Sequence, residues 1–433
     1  MKIAIIGGGI SGLSAAYYLQ QHDIKVYEAA DRIGGHTATV DVEIKNQHYA
    51  VDTGFIVYND WTYPNFIELM DELGVESQPT EMSFSVRCED SGLEYGGNNL
   101  NSLFAQRRNL LRPSFHFMLR DILRFNREAV VHLEARQIDQ TTRLGEYLDA
   151  NNYGEAFKFQ YLLPMGCAIW SASTESMLDF PLLFFIRFFK NHGLLSVNHR
   201  PQWRVIKGGS SCYLQPLVKG FESSIVTGAK ISGIRRTANS VVVTMANGYC
   251  EEFDQLVFAC HSDQALQLLD DASNGERIAL AAIPYQSNRV ILHSDENLLP
   301  RNRRTWSSWN YWLRDRFQER AVLSYNMNIL QGLTDAPTLC VTLNASDSIA
   351  SGKIINSFEY SHPQFSLESV SAARQIETVN GANRTWYAGA YLGNGFHEDG
   401  VSSGKKVAAS INLIGQQQTA VKQKSHLRLV ESA

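Results

Sequence analysis

Gly7, Gly9 and Gly12 stand in the spacing G-x-G-x-x-G, with Ile10 and Ser11 inside it, and Glu28 follows sixteen residues after Gly12. Such a set can hold the pyrophosphate of a dinucleotide. The first glycine permits a tight turn, the second lets the backbone approach the phosphates, and the third lets a helix pack closely on a strand. Free N–H groups at the helix start then face the negative charge, and a carboxylate at position 28 can accept the ribose hydroxyls of an adenosine. The motif gains its meaning from a strand before it and a helix after it. Both are legible: Lys2 to Ile6 is a short apolar run, Leu13 to Gln20 has helical composition, and Lys25-Val26-Tyr27 reads as a second strand ending in Glu28.

From Glu28 the chain runs E-A-A-D-R-I-G-G-H, which places Arg32, Gly34, Gly35 and His36, and Asp52-Thr53-Gly54 comes soon after. This stretch resembles the flavin-containing amine oxidase superfamily, the group of monoamine oxidases, protoporphyrinogen oxidase and phytoene desaturases. The resemblance implies FAD as cofactor and an α/β fold of the GR2 flavoprotein type, a Rossmann-like FAD-binding domain with an inserted α+β substrate domain. It adds Arg32, Gly34, Gly35, His36 and Gly54 to the expected FAD contacts. His36 could meet a phosphate or lie on the surface. Farther on, the resemblance sets Gly208-Gly209 near the flavin and passes the segment containing Ile231 along the adenine.

A matching block lies near the C-terminus. Thr385 to Ala390 reads as a strand ending in a turn at Gly389, and Gly395-Phe396-His397-Glu398-Asp399-Gly400-Val401 opens a helix running through Lys405 to Leu413. Free N–H groups at that helix start can stabilise negative charge on a reduced flavin pyrimidine. Phe396 and His397 are the candidate catalytic positions, and Gly389, Glu398, Asp399 and Val401 are candidate cofactor contacts. His397 could move a proton or tune the flavin, or hydrogen-bond the loop. Glu398 and Asp399 are neighbours, so in a helix they diverge by about 100° and cannot work as a facing acid and base; a helix cap with one flavin contact fits them better. Two departures from the family pattern matter. Ala390 stands where many members have an acid, and Phe396 stands where monoamine oxidases place a cage tyrosine. The run G-F-H-E-D-G is similar to amine-oxidase-like proteins related to the flavoprotein region of plant cyclopropane fatty acid synthases, a likeness that points toward lipid chemistry.

The elements that must position these residues imply a discontinuous plan. Residues 1–60, 200–278 and 380–415 are expected to form the FAD-binding domain, 61–199 and 279–379 the substrate domain, and 416–433 a polar tail that frays. Tyr63 to Leu73 and Arg112 to Glu134 read as helices in an inserted helical stretch with little strand alternation. Near Trp203 the chain reads as returning to the sheet domain, with strands at Ser240 to Met245 and Gln255 to Ala259. Trp306, Trp309, Tyr311, Trp312 and Tyr325 suit either core or the wall of a substrate cavity. The apolar run Phe180 to Lys190 suits an interfacial helix or channel mouth, or a buried helix.

The bounds agree. The chain has 433 residues, 44% hydrophobic and 19% charged, with a net charge of −5, a soluble globular balance with length for two or three folding units. A weakly acidic chain without a basic run argues against nucleic acid as a partner. Six cysteines without a C-x-x-C pair signal neither zinc nor a redox dithiol, and no metal-ligand spacing occurs. A cytoplasmic location is expected, with no signal peptide and no spanning helix, and with peripheral contact to a lipid surface left open. The expected reaction is hydride abstraction by FAD from a largely apolar small molecule, an amine or an acyl lipid, a chemistry in which the cofactor rather than a side chain is the reagent. An isomerase or mutase, and a lipid- or partner-binding protein with structural FAD, are the alternatives.

Overall fold

The computed structural model describes the backbone of residues 1–431 and side chains through residue 417. A parallel sheet of five strands runs in the order Ile225–Val226, Asp23–Tyr27, Lys2–Ile6, Gln255–Phe258, Thr385–Tyr387. Ile3, Ala4 and Ile5 at its centre are fully buried, as a strand covered on both faces requires. Three distant stretches of sequence thus meet in one sheet. The first helix, Ile10–Leu19, lies against the last, His397–Glu431. Their approach is close enough that a Cβ on Gly404 would sit 2.4 Å from the Ser11 carbonyl oxygen. That contact brings the two ends of the chain to one place.

A second sheet of seven strands runs in the order Ile354–Pro363, Tyr285–His293, Cys340–Leu343, Leu323–Asn326, Trp309–Leu313, Phe84–Cys88, Leu93–Gly96. Its pairings are antiparallel except Trp309–Leu313 with Phe84–Cys88. The stretch read as helical therefore also supplies a hairpin, Phe84–Cys88 and Leu93–Gly96, which completes a sheet built mostly from the later excursion. Val86, Cys88, Leu93 and Tyr95 are buried in it; short, fully buried strands show no alternation to read. Trp203–Ile206 pairs with Tyr58–Asn59 and Ser77–Thr80 in a separate three-stranded sheet, so the chain re-enters the parallel sheet only at Ile225. Val241–Met245 lies in an antiparallel meander with Ile231–Arg236 and Cys250–Phe253.

The helices Pro64–Leu73 and Pro113–Glu134 begin at a proline, whose fixed φ and missing N–H suit the first turn. The helix Leu182–Asn191 buries Leu182, Phe185, Ile186, Phe188 and Phe189, which decides for burial over an interfacial role. Of the aromatics in the later excursion, Tyr311 is core, Trp312 lies against the guanidinium groups of Arg87 and Arg314, and Trp309 meets Tyr325 edge-on at 5.0 Å. The polar tail is helical backbone to Glu431 rather than frayed coil. Beyond Gly415 it contains neither glycine nor proline, so nothing local ends the helix. Ser432 and Ala433 lie outside the described residues. No helix among the described residues is long and apolar enough to cross a membrane.

Candidate flavin cradle and adjoining cavity

Gly7 has φ +115°, and a Cβ there would meet the Ala259 carbonyl oxygen at 2.6 Å; on Gly12 it would meet the Gly7 carbonyl oxygen at 1.9 Å. Both glycines are demanded by the protein's own packing. Gly9 differs: its φ is −80°, and a Cβ there would find nothing within 4 Å. It precedes the helix Ile10–Leu19, whose N-terminus has no side-chain cap, and the first N–H groups, those of Ile10 and Ser11 among them, have no acceptor among the described residues. Glu28 accepts from the Gly8 N–H at 2.7 Å and the Ala30 N–H at 2.8 Å, which pins it at the rim of the loop.

The segment from Arg32 to Thr37 folds over this loop. Gly34 N–H donates to the Gly8 carbonyl, and Gly34 and Gly35 both have positive φ. Arg32 donates to the carbonyls of Gly35 at 2.9 Å and Thr37 at 3.1 Å. Its guanidinium thus braces the loop. Gly54 backs the same segment, since a Cβ there would lie 2.1 Å from the His36 carbonyl oxygen. The His36 ring packs against Tyr360 at 5.1 Å and His362 at 5.2 Å, and its Nε2 is buried without a partner. Burial and the nearby imidazoles of His362 and His261 hold its pKa well below the ordinary value. His36 is therefore half-buried and neutral, with one nitrogen free. An uncapped helix start, an open space at Gly9 and a buried, unpartnered imidazole nitrogen on His36 are features a dinucleotide flavin would complete, so the residues fit such a group.

Gly228 N–H donates to the Ala30 carbonyl and Ala229 N–H to the Glu28 carbonyl, which lays the segment leading to half-buried Ile231 beside the adenosine end of the cradle. Gly389 N–H donates to Ser403 Oγ at 3.0 Å, and a Cβ there would strike the Tyr391 ring at 2.3 Å. Asp52 is a contact the sequence did not assign. It accepts from Thr39 Oγ1, Ser210 N and Ser210 Oγ and so ties the Gly208-Gly209 turn to the segment beside His36. Burial pushes its carboxyl up to about 6.

The structure shows where four expected site residues at the last helix turn. His397 turns inward: its Nε2 lies 3.0 Å from Thr37 Oγ1 and 3.2 Å from Tyr213 OH, and its ring stacks on Phe55 at 3.6 Å. Only 8% of it is exposed. It is bound to side chains and not to the loop backbone. Glu398 accepts from Asn65 N, Asn65 Nδ2 and Phe66 N, so both oxygens serve the N-terminus of the helix Pro64–Leu73, where a negative charge is favoured. Asp399 reaches back to the Phe396 N–H at 3.0 Å and caps its own helix; burial pushes it up to about 6. Both acids are caps, as their adjacency suggested, but neither has an oxygen turned to the glycine-rich loop. Val401 is fully buried in the core with Ile10 and Leu13, so its side chain has no access to a ligand. The common reason is that successive residues of a helix start face different neighbours, and only packing decides which.

Burial lowers His397 to about 3 from the ordinary 6.5. The unfolded imidazole protonates first, so stability present above about pH 6.5 is lost as pH falls toward 3. At pH ~5 this residue alone accounts for about 2 kcal/mol. His397→Gln is expected to reduce the stability loss between neutral pH and pH ~5 by about that amount while leaving the pH profile of turnover in place. Thermal unfolding at both pH values checks the first; an activity profile that moved with the substitution would return His397 to a proton-transfer role.

Phe396 faces the other way, into a cavity of about 800 Å³, and stacks on Phe188 at 5.3 Å. The helix Leu182–Asn191 supplies Leu183, Phe184 and Phe188 to this cavity, and the helix Leu367–Val379 supplies Leu367 and Val370. The run Phe180 to Lys190 is thus a buried helix whose remaining face forms a cavity wall. His192, also lining it, donates its Nδ1–H to the Phe188 carbonyl at 2.9 Å, which leaves Nε2 to accept from Thr62 Oγ1 at 3.1 Å, and burial lowers it to about 4. Arg187 and Arg374 line the cavity from exposed positions, and among the described residues neither makes an ion pair or hydrogen bond. The carboxylates lining it, Glu398 and Asp399, are the two caps. Arg187 lies in the run whose composition suited a channel mouth, whereas no sequence signal separated Arg374 from ordinary solvated arginines.

The family described as flavin containing amine oxidoreductase matches residues 10–319. The probable flavin-containing monoamine oxidase A of Dictyostelium discoideum is 27% identical over 273 residues, 57% of this chain and 54% of that protein. Amine oxidase [flavin-containing] A of Canis lupus familiaris is 46% identical over 78 residues, 17% of this chain and 14% of its own length. The chain thus matches about half the length of the first relative and far less of the second. Among solved structures, a CLA-producing fatty acid isomerase from P. acnes aligns with a TM-score of 0.68 at 18% identity, covering 94% of this chain and 98% of that one. Cyclohexylamine oxidase from Brevibacterium oxydans aligns with a TM-score of 0.68 at 16% identity, covering 95% and 98%. At these identities the likeness is one of fold.

Proposed function

The chain belongs to the flavin-containing amine oxidoreductase family, with FAD as its cofactor, and on that premise we propose an enzyme that oxidises a largely apolar acyl substrate carrying an anionic end. One observation carries the substrate class: a cavity with an apolar wall of Leu183, Phe184, Phe188, Leu367, Val370 and Phe396, whose cations are unpaired and whose carboxylates are engaged as helix caps. An ammonium group would find no free anion there. A carboxylate would find Arg187 and Arg374.

FAD, when bound, supplies the hydride acceptor. Gly9 and the start of the helix Ile10–Leu19 would hold its pyrophosphate, Glu28 its ribose, and the Gly34–His36 segment would cover it. Phe188 and Phe396 exclude water from the chain of the substrate and align it, and the two arginines fix its polar end. Neutral His36, with Nε2 unpartnered, adds hydrogen-bonding capacity without adding charge, and His192, both ring nitrogens engaged, lines the cavity without adding charge. Orientation and exclusion of water are what the protein contributes.

Anaerobic titration of the holoenzyme with long-chain carboxylates and with amines of matched length tests this. Bleaching of the flavin band is expected with a carboxylate; bleaching by the amines alone would refute the substrate class. A second reading is an isomerase, favoured by the fold shared with the fatty acid isomerase. Under that reading the carboxylate is converted with no net flavin reduction, which product analysis of the same titration separates.

A further inference from the structure

From Tyr95 to Arg120 the chain carries Arg107, Arg108, Arg112 and Arg120 and no acidic residue. Large apolar side chains stand in solvent among these cations: Leu111 is 89% exposed, Leu100 74%, Phe117 60% and Leu110 51%. They form one face. The short helix Leu100–Leu103 leads through the turn Arg107–Leu111 into the helix Pro113–Glu134. The His116 ring bonds the Leu110 carbonyl at 2.8 Å and packs on Phe104, which holds the turn beside the first turn of the long helix. Arg107 and Arg108 donate to loop carbonyls, and none of the four arginines is in an ion pair among the described residues. The segment therefore presents four arginines free of ion pairs among protruding leucines, with Asp121 and Glu155 near Arg120.

We propose that this face docks the protein on an anionic lipid surface. Basic side chains gain from the negative potential of such a surface, and aliphatic side chains at the outermost positions enter the headgroup and acyl boundary. A second copy of the chain would bring the same arginines opposite one another in a two-fold contact, a like-charge arrangement. A single-stranded nucleic acid would use aromatic stacking platforms, whereas the most exposed residues here are leucines. Peripheral contact thus falls on residues 100–120 and not on the run Phe180 to Lys190, which is buried. The proposal is independent of the substrate.

Flotation of the holoenzyme with phosphatidylcholine vesicles and with vesicles rich in phosphatidylglycerol tests it, with soluble polyglutamate as a competitor. Binding to the anionic vesicles at least about tenfold tighter than to the neutral ones is expected, weakening with added salt. Leu110→Ser with Leu111→Ser should weaken it at unchanged charge, and Arg107→Gln with Arg112→Gln should weaken it at unchanged apolar surface, both with flavin content intact. Equal binding to both vesicles, or binding unmoved by both variant pairs, overturns the proposal. Complete displacement by polyglutamate would assign the face to an acidic protein, and a dimer in sedimentation velocity lost in the leucine variant would assign it to a second copy; either result also overturns it.

Discussion

Gly9→Ala is expected to leave the apoprotein nearly as stable as the parent and to weaken FAD binding by roughly a hundredfold, about 2.7 kcal/mol. The backbone at Gly9 is ordinary, with φ −80°, and the added methyl would touch no protein atom within 4 Å. At the position before a helix, alanine in place of glycine costs well under about 1 kcal/mol. The methyl instead occupies the space through which a pyrophosphate approaches the uncapped helix start. Gly7 and Gly12 cannot make this test, because a side chain at either strikes backbone within 2.6 Å and would damage the fold with the site. Glu28→Ala would be equally mixed, since both its oxygens hold loop N–H groups. Calorimetric unfolding of the apoprotein and fluorescence titration with FAD read the two effects separately. Normal FAD affinity in Gly9→Ala would place the pyrophosphate elsewhere.

The double variant Arg187→Gln with Arg374→Gln should lower kcat/KM for an anionic acyl substrate by about a hundredfold, from roughly tenfold per charge-assisted contact. Both side chains are exposed at the cavity rim, so solvent screening keeps each contribution modest. The loss should appear mainly in KM, because binding of a remote charged end is felt equally in the ground and transition states. The methyl ester of the same acyl chain should be processed equally by parent and variant. If the variant loses activity on acid and ester alike, the arginines support the cavity rather than recognise charge. If neither falls while flavin reduction persists, the anionic end binds elsewhere and only the substrate class fails.

Much of the cradle was legible because its requirements are local. A positive φ at Gly7, the close helix–strand approach at Gly12 and the carboxylate at the end of the second strand follow from neighbours within one strand–turn–helix unit, and the spacing of residues 7 to 28 states them. The helices Pro64–Leu73 and Pro113–Glu134 were similarly visible, through their starting prolines and helical patterning. The hairpin Phe84–Cys88 and Leu93–Gly96 was hidden because short buried strands carry no period, and Trp203–Ile206 because a strand cannot name its sheet.

At the C-terminal block the sequence by itself determined that a helix begins after the glycine-rich turn, and that Glu398 and Asp399 could not act as a pair. Only the tertiary structure decided that His397 points to Thr37, Tyr213 and Phe55, that Glu398 caps a helix more than three hundred residues earlier in the chain, and that Phe396 faces the cavity. These directions depend on which distant elements pack against each face of one helix turn, and residue type carries no record of that. The same holds for Arg374, an unremarked arginine in its own helix; Arg187 stood in the run Phe180 to Lys190 that suited a channel mouth, but the cavity the two share exists only once the two helices are brought together.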